Sequence, residues 1–191
     1  MQILRAANHR RMPWKNGGGE TVEVAVSPQS ATLGDFDWRV SMATVAIDGP
    51  FSIFPGIDRT LSILSGRGMT LEIDALEPLR LTQQSPPFAF AADIAVTAQL
   101  VAGPITDLNV MTRRDGFKHK VERVHIERRW SGSLPAAISL VLCHEGEAAF
   151  GLAEESGMIY ASDVLMIEAH CRPALMLAGA ATCYLISITA I

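Results

Sequence analysis

Cysteine is scarce in this chain, which has three cysteines among 191 residues: Cys143, Cys171 and Cys183. Their number is odd and their spacing fits no chelating motif, so neither a disulfide framework nor a cysteine metal site is expected. We expect reduced thiols in the core, as in cytoplasmic proteins. His170 and Cys171 are neighbours, but adjacent strand residues face opposite ways, so they do not suggest a nucleophile with its base.

Long apolar runs and an excess of charge of one sign are also missing. No stretch approaches the roughly 20 apolar residues of a membrane span, and residues 1–12 have no apolar signal-peptide segment. The formal net charge is only -4. The basic stretch 113–129 interleaves acidic residues, as a solvated strand does. The sequence therefore predicts a soluble cytoplasmic protein without a membrane or nucleic-acid partner.

A His-x-His pair, which places two imidazoles on one face of a strand, is absent. His119 and His125 share a strand face, but six residues at about 3.3 Å each separate them by about 20 Å, too far for one ion. The other histidines, His9, His144 and His170, have no second histidine nearby. We expect no bound metal and no other cofactor.

The glycine run Gly17-Gly18-Gly19 matches no phosphate-binding motif, because the only nearby lysine precedes it and no Gly-Lys-Ser/Thr follows. Its first interpretation is a flexible turn that leads into a strand. The alternative is that consecutive glycines let the backbone approach a ligand, with Asn16 as donor and acceptor. No Gly-x-Ser-x-Gly element indicates a serine nucleophile.

Short strands dominate what is present. Segments rich in β-branched and aliphatic residues alternate with glycine- and proline-containing turns, which is typical of a sandwich or barrel. Helical periodicity is limited to two candidate single turns, at residues 9–14 and 93–99. The predicted strands are residues 21–26, 37–47, 60–64, 69–73, 105–112, 136–143, 147–152, 163–167, 174–177 and 182–188.

An internal repeat divides the strand pattern in two. The segment AQLVAGPITDLNVMT in the first half matches LMLAGAATCYLISIT in the second in order and spacing. We expect two small barrels, one formed by residues 1–128 and one by residues 129–191, with strands exchanged between them as an open variant. The segment 128–135 breaks the strand pattern and is the expected linker.

Charged residues lie inside three of the predicted strands. Alternation places Asp37, Arg39 and Ser41 on one face and Trp38, Val40 and Met42 on the other. In the same way Asp107, Asn109, Met111 and Arg113 share a face, as do Thr21 and Glu23. One interpretation puts the polar faces in solvent. The other is a polar barrel interior, where a buried arginine must be paired or bind an anion.

Four segments resemble the HutD/Ves family. They are MPWKNGGGETVEV (12–24), DFDWRVSMATVAIDGPFSIFPGIDR (35–59), PFAFAAD (87–93) and DLNVMTR (107–113). The resemblance implies an all-β fold of two fused cupin-like antiparallel barrels (a bicupin) with few helical turns and without the usual metal-binding histidines. Recognisable motifs cover about the first two thirds of the chain.

The resemblance also implies a function. HutD members are associated with histidine utilisation, as proposed sensors of an intermediate such as urocanate or N-formylglutamate; Ves members are associated with cold or stress. Matching the motifs places a ligand pocket in the first barrel. Its residues would be Asn16, Thr21, Glu23, Arg39, Ser41, Arg59 and Asn109. The second barrel, with its apolar strands, is expected to be structural.

The first functional hypothesis is therefore a binding protein that captures a small anionic carboxylate, with Arg39 or Arg59 as its partner. The second is a metal-free isomerase or hydrolase that uses Glu23 or Asp58 as a general base. The third is an interaction module with an unoccupied pocket. The sequence leaves a homodimer open.

Overall fold

The computed structural model describes residues 1–74, 76–134, 136–168 and 174–191, and these residues form strands with no α-helix. Ala6–Asn8 form a single 3-10 turn. The strands are β1 (Gln2–Leu4), β2 (Arg10–Pro13), β3 (Gly19–Ser27), β4 (Trp38–Val45), β5 (Gly49–Pro50), β6 (Ile57–Ser65), β7 (Met69–Ile73), β8 (Leu79–Leu81), β9 (Phe88–Ala91), β10 (Val96–Leu100), β11 (Ile105–Arg113), β12 (Phe117–Ile126), β13 (Arg129–Ser133), β14 (Ile138–Leu152), β15 (Glu155–Tyr160), β16 (Val164–Glu168) and β17 (Ala174–Ala190).

The chain divides into two compact units, and their limits differ from the expected division at residue 128. One unit comprises residues 10–118 with Ile191, and the other comprises residues 1–9 and 119–190. The N-terminal strand β1 belongs to the second unit because it pairs with β16, as in Ile3 opposite Leu165. The boundary at 118/119 falls at the start of β12, since β12 pairs with β17 in the second unit's sheet.

The first unit contains two antiparallel sheets. The six-stranded sheet has the order β2-β3-β4-β11-β6-β9, and the four-stranded sheet has the order β5-β10-β7-β8. Buried residues from both form one apolar core, among them Val45 and Ile63 from the larger sheet and Leu71 and Val96 from the smaller. Each sheet is an open path of strands, so the unit resembles a sandwich more than a closed barrel.

The second unit is built on a seven-stranded sheet in which β14 and β17 are the longest strands. Each joins two strands that the sequence predicted separately. The predicted turn at His144-Glu145-Gly146 is instead a register shift between Cys143 and Glu145, where β14 stays paired with β17. Gly146 has φ of 79° there, and a Cβ on it would lie 2.1 Å from the Ala180 carbonyl oxygen.

Three further local predictions are wrong, because pairing with neighbouring strands overrides weak local signals. Residues 9–14 and 93–99 are not helical turns: Arg10–Pro13 pair with β3, and Val96–Leu100 pair with β7. The expected linker contains β13, which pairs with β17 from Arg129 to Ser133. His170 and Cys171 lie outside the described residues. Cys143 and Cys183 are free and buried, as expected. Within the described ranges, no helix has the length and apolar character to cross a membrane.

Candidate functional site

Polar side chains lie on one face of the six-stranded sheet in rows that run across the strands, and we call each such row of directly opposite residues a rank. In one rank Glu23 lies opposite Ser41, and Ser41 lies opposite Asn109. In the next rank Met111 lies between Arg39 on β4 and Arg59 on β6. The two arginine backbones are therefore two strand spacings apart, about 10 Å. Antiparallel pairing thus brings together residues from β3, β4, β6 and β11 that are far apart in sequence.

This face is buried, and the opposite face of β4 is buried as well. Arg39 is 5% exposed and Arg59 is 8% exposed, while Trp38 and Val40 on the other face are 4% and 0% exposed. Of the two interpretations of the alternating pattern, the structure agrees with the polar interior. Burying a charged group is costly unless it is paired, so the partners of both arginines define what the site can do.

Arg39 is held by Glu23 and Ser41. Its Nε donates to Glu23 Oε2 at 2.8 Å, and its Nη1 donates to Ser41 Oγ at 3.3 Å. The Glu23 side chain is 13% exposed and also lies 3.9 Å from Arg10 Nη1. Arg39 and Glu23 therefore form a largely buried ion pair that fixes the guanidinium in one orientation.

Arg59 is held differently, by an amide and by aromatic rings. Its Nε donates to Asn109 Oδ1 at 2.7 Å, and its Nη2 donates to the same oxygen. The guanidinium carbon lies 4.3 Å from the Phe51 ring centroid and 5.7 Å from that of Phe90. A cation–π contact stabilises the charge without occupying its N–H groups.

Asp107 also belongs to this group of polar residues, and Asn109 connects it to Arg59. Asn109 Nδ2 donates to Asp107 Oδ1, so the amide bridges the carboxylate and the guanidinium. Burial raises the pKa of Asp107 to about 6, although Arg59 and the hydrogen bond from Asn109 act in the opposite direction. Burial also lowers the pKa of Arg59 to about 10, which still leaves it charged at neutral pH.

Each arginine keeps one terminal nitrogen without a hydrogen-bond acceptor among the described residues: Nη2 of Arg39 and Nη1 of Arg59. Neither nitrogen is among the fully enclosed polar atoms that lack a partner. Both therefore retain solvent contact, although the residues that carry them are buried. Guanidinium groups with spare N–H donors have the planar geometry that can donate to both oxygens of a carboxylate.

Two of the expected pocket residues stand apart from this cluster. Asn16 is exposed, and its Oδ1 accepts from the Gly18 backbone N–H at 3.0 Å, so it stabilises its own turn. Thr21 Oγ1 accepts from Trp14 Nε1 at 2.8 Å. A Cβ on Gly19 would lie 2.1 Å from the Thr44 carbonyl oxygen. Close strand packing therefore accounts for this glycine.

The polar cluster as we define it consists of Glu23, Arg39, Ser41, Arg59, Asp107 and Asn109. Five of these six were expected from the sequence, and Asp107 was not. Its alternation with Asn109 was the available signal. Phe51 and Phe90 were also missed, because Phe51 lies just outside a strand and β9, which carries Phe90, was not predicted. In the described residues no three His, Cys, Asp or Glu side chains are grouped to hold a metal ion.

These observations define a class of protein: an all-β chain with a cupin-like fold and a buried polar cluster on one sheet. A more distant structure, the oxalate decarboxylase of Lactobacillus farciminis, shares only this fold, with a TM-score of 0.69 at 8% identity. The family model HutD matches residues 6–185, and the chain belongs to the HutD family. The match extends well beyond the first two thirds in which the quoted motifs lie.

Relatives and solved structures agree with this membership. The chain is 43% identical over 117 residues to protein Ves of Citrobacter koseri, and 36% identical over 122 residues to an uncharacterized 21.2 kDa protein in the hutC 3' region of Pseudomonas putida. These matches span 59% and 64% of this chain, and 59% and 63% of the relatives' own lengths.

Two solved structures cover nearly the whole chain. A conserved protein of unknown function from Pseudomonas aeruginosa has a TM-score of 0.93 at 31% identity, covering 98% of both chains. HutD from Pseudomonas fluorescens has a TM-score of 0.83 at 30% identity, covering 100% of this chain and 98% of that one.

Proposed function

We propose that this protein is a regulatory binding protein that captures a small anionic carboxylate, without a metal, at the polar cluster. The observation that carries the proposal is the pair of buried arginines on one sheet face, each with a terminal nitrogen that has no acceptor among the described residues. An anion that bridges the two nitrogens would supply the missing acceptors through charge-assisted hydrogen bonds.

The division of roles within the cluster follows from the contacts. Glu23 orients Arg39 through the 2.8 Å ion pair, and Asn109 together with the aromatic rings orients Arg59. Ser41 supplies a hydroxyl in the same rank as Asn109. Receptor groups that are held rigidly before binding lose little conformational entropy on binding, which favours affinity for a small ligand.

The association of the family with histidine utilisation directs the choice of ligand. We propose a histidine-degradation intermediate, urocanate or N-formylglutamate, as the metabolite that is sensed. Both carry a carboxylate that two guanidinium groups can bind. The structure of HutD from Pseudomonas fluorescens was obtained in a formate condition, which makes formate a suitable minimal probe.

The test is calorimetric binding of formate, urocanate and N-formylglutamate to the wild type and to Arg39→Lys and Arg59→Lys. Lysine keeps the charge but loses the planar fork, so we expect at least one change to weaken binding by about 1.5–3 kcal/mol. Arg80→Lys is the matched control, because Arg80 is exposed on β8. Circular dichroism should be unchanged. Unaltered affinity in both cluster variants would refute the proposal.

A metal-free enzyme, an isomerase or a hydrolase, is the second candidate. Asp58, one of the two expected bases, is ion-paired to Arg114 at 2.7 Å, and Glu23 is paired to Arg39. The observation that favours catalysis is the pKa of Asp107 near 6, because a general base works best with a pKa near the working pH. The test is whether the purified protein converts urocanate or N-formylglutamate. Conversion by the wild type that is lost in Asp107→Asn would establish this candidate instead.

A further inference from the structure

We infer that Asp107 is part of the binding site as its proton acceptor, so that each carboxylate anion binds together with one proton. The inference rests on the proposed function, and it further specifies the net charge of the cluster when the ligand is bound. It follows from where the charged groups of the polar cluster lie and from how each of them is paired.

The cluster contains two positive and two negative groups before a ligand binds. Arg39 and Glu23 are in direct contact, whereas Arg59 and Asp107 meet only through the amide of Asn109. With both carboxyl groups ionised the cluster is neutral. A bound monoanion then leaves one uncompensated negative charge in a buried site, which is unfavourable in a medium of low dielectric constant.

Among the residues that the structure describes, no other charged group lies beside Asp107 to compensate that charge. The neighbours of Asp107 across the sheet are Ala43 on β4 and Ile63 on β6. The four-stranded sheet contributes apolar side chains to the adjoining core: Met69, Leu71, Ile73, Leu81, Val96 and Ala98. Among the described residues, the charged groups on this face are Arg10 at its rim, which approaches Glu23, and the four cluster residues Glu23, Arg39, Arg59 and Asp107. Asp37, just before β4, and Arg113, at the end of β11, lie at the end of this face remote from Asp107, where Arg113 Nη2 donates to the Phe36 carbonyl oxygen.

Asp107 is the member that takes up the proton. It is 1% exposed and has no direct ion pair with any residue that the structure describes, whereas Glu23 contacts the guanidinium of Arg39. Burial has already raised the pKa of Asp107 to about 6, and an anion bound at Arg59 would raise it further. Protonation of Asp107 also frees the charge of Arg59 for the ligand, because the two carboxylates compete for the same guanidinium.

The coupling has a fixed sign. Binding and protonation favour each other equally, so a proton that is taken up on binding makes the ligand bind more tightly as the pH falls. For a ligand whose own carboxyl group stays ionised, affinity should rise about tenfold between pH 7.5 and pH 6. A site without this proton would bind with constant affinity over that range.

The experiment measures proton uptake directly in the wild-type protein. Formate, a monoanion whose carboxyl group stays ionised over this pH range, is titrated at pH 7 in two buffers of different ionisation enthalpy, and the difference in heat gives the number of protons bound per ligand. We expect a value between about 0.5 and 1, together with the tenfold pH effect. Wild-type calorimetry requires no substitution, so the result does not depend on whether a variant folds.

Asp107→Asn is the matched variant, because asparagine resembles the protonated carboxyl group and can still accept from Asn109. It should bind without proton uptake and, at pH 7.5, about thirtyfold more tightly than the wild type, because Asp107 with a pKa of about 6 is protonated in only about one molecule in thirty at that pH. Glu72→Gln, at an exposed carboxylate on β7 outside the cluster, should behave as the wild type. Binding without proton uptake would overturn this inference and leave the proposed function standing. No binding of any probe at either pH would overturn both.

Discussion

At the scale of single residues, the unusual feature is a buried carboxylate that has no ion-pair partner within the described part of the chain. Asp107 is more buried than Arg59, and a neutral amide, Asn109, separates the two. A buried ion pair in direct contact would leave few N–H groups for a ligand. Spacing the charges with an amide keeps the arginine oriented while it remains able to bind an anion.

Asp107 should lower the free energy of unfolding of the ligand-free protein at neutral pH, because its carboxylate is then ionised while buried. Its pKa of about 6 in the folded state lies above the value of about 3.9 in an unfolded chain. Between these values only the folded state binds the proton. The stability that this group contributes is therefore fully present below about pH 4 and is lost as the pH rises through 6.

Asp107→Asn should accordingly raise the free energy of unfolding at pH 8 by about 2–3 kcal/mol. Near pH 4 the variant and the wild type should have similar stability. Urea denaturation at both pH values measures the difference. If the variant is less stable than the wild type at pH 8, the favourable interaction of the Asp107 carboxylate with Arg59 exceeds the unfavourable free energy of burying that carboxylate.

Most residues of the cluster could be predicted from the alternation of polar and apolar residues along the strands and from the family resemblance. Both select Glu23, Arg39, Ser41 and Asn109. Alternation alone could not decide between a solvated and a buried polar face, because β4 is buried on both faces. Asn16 and Thr21 were selected by their place in a motif. Their hydrogen bonds to Gly18 and Trp14 are local details that a motif does not encode.

At the scale of elements, long strands with strong alternation were predictable and short ones were not. The strands β3, β4, β6, β7 and β11 lie within a few residues of their predicted ranges. The strands β2, β10 and β13 have weak local signals and form because a neighbouring strand pairs with them. The predicted breaks within β14 and β17 failed for a related reason: the two strands pair on both sides of the shift at Cys143.

Gly146 should be the residue on which that irregularity depends. Gly146→Ala would impose a left-handed φ of 79° on alanine and place its Cβ 2.1 Å from the Ala180 carbonyl oxygen. We expect a loss of at least about 2 kcal/mol in unfolding free energy. Gly116→Ala is the control, because a Cβ there meets nothing within 4 Å. Equal stability of the two variants would contradict this role for Gly146.

At the scale of the whole molecule, the repeat in the sequence indicated two units but not their limits. The repeat compares strands inside each half and is therefore insensitive to the first nine residues. Those residues join the second unit through β1 and through Arg5, whose Nη1 lies 2.6 Å from Asp163 Oδ2. A pairing between chain ends that are more than 150 residues apart leaves no local trace in the sequence.

The absence of a His-x-His pair leads to a prediction for the intact protein. After removal of any histidine tag, elemental analysis should find no stoichiometric transition metal. Binding of the carboxylate probes should also be unaffected by a chelator. One tightly held zinc, iron or manganese ion per chain would contradict the metal-free account.

The most direct test of the central claim is a crystal structure of the protein with urocanate or N-formylglutamate bound. The account predicts a ligand carboxylate about 2.7–2.9 Å from both Nη2 of Arg39 and Nη1 of Arg59. Asn109 should still bridge Arg59 and Asp107. A ligand bound elsewhere, with both arginines unchanged and without a carboxylate beside them, would contradict the account.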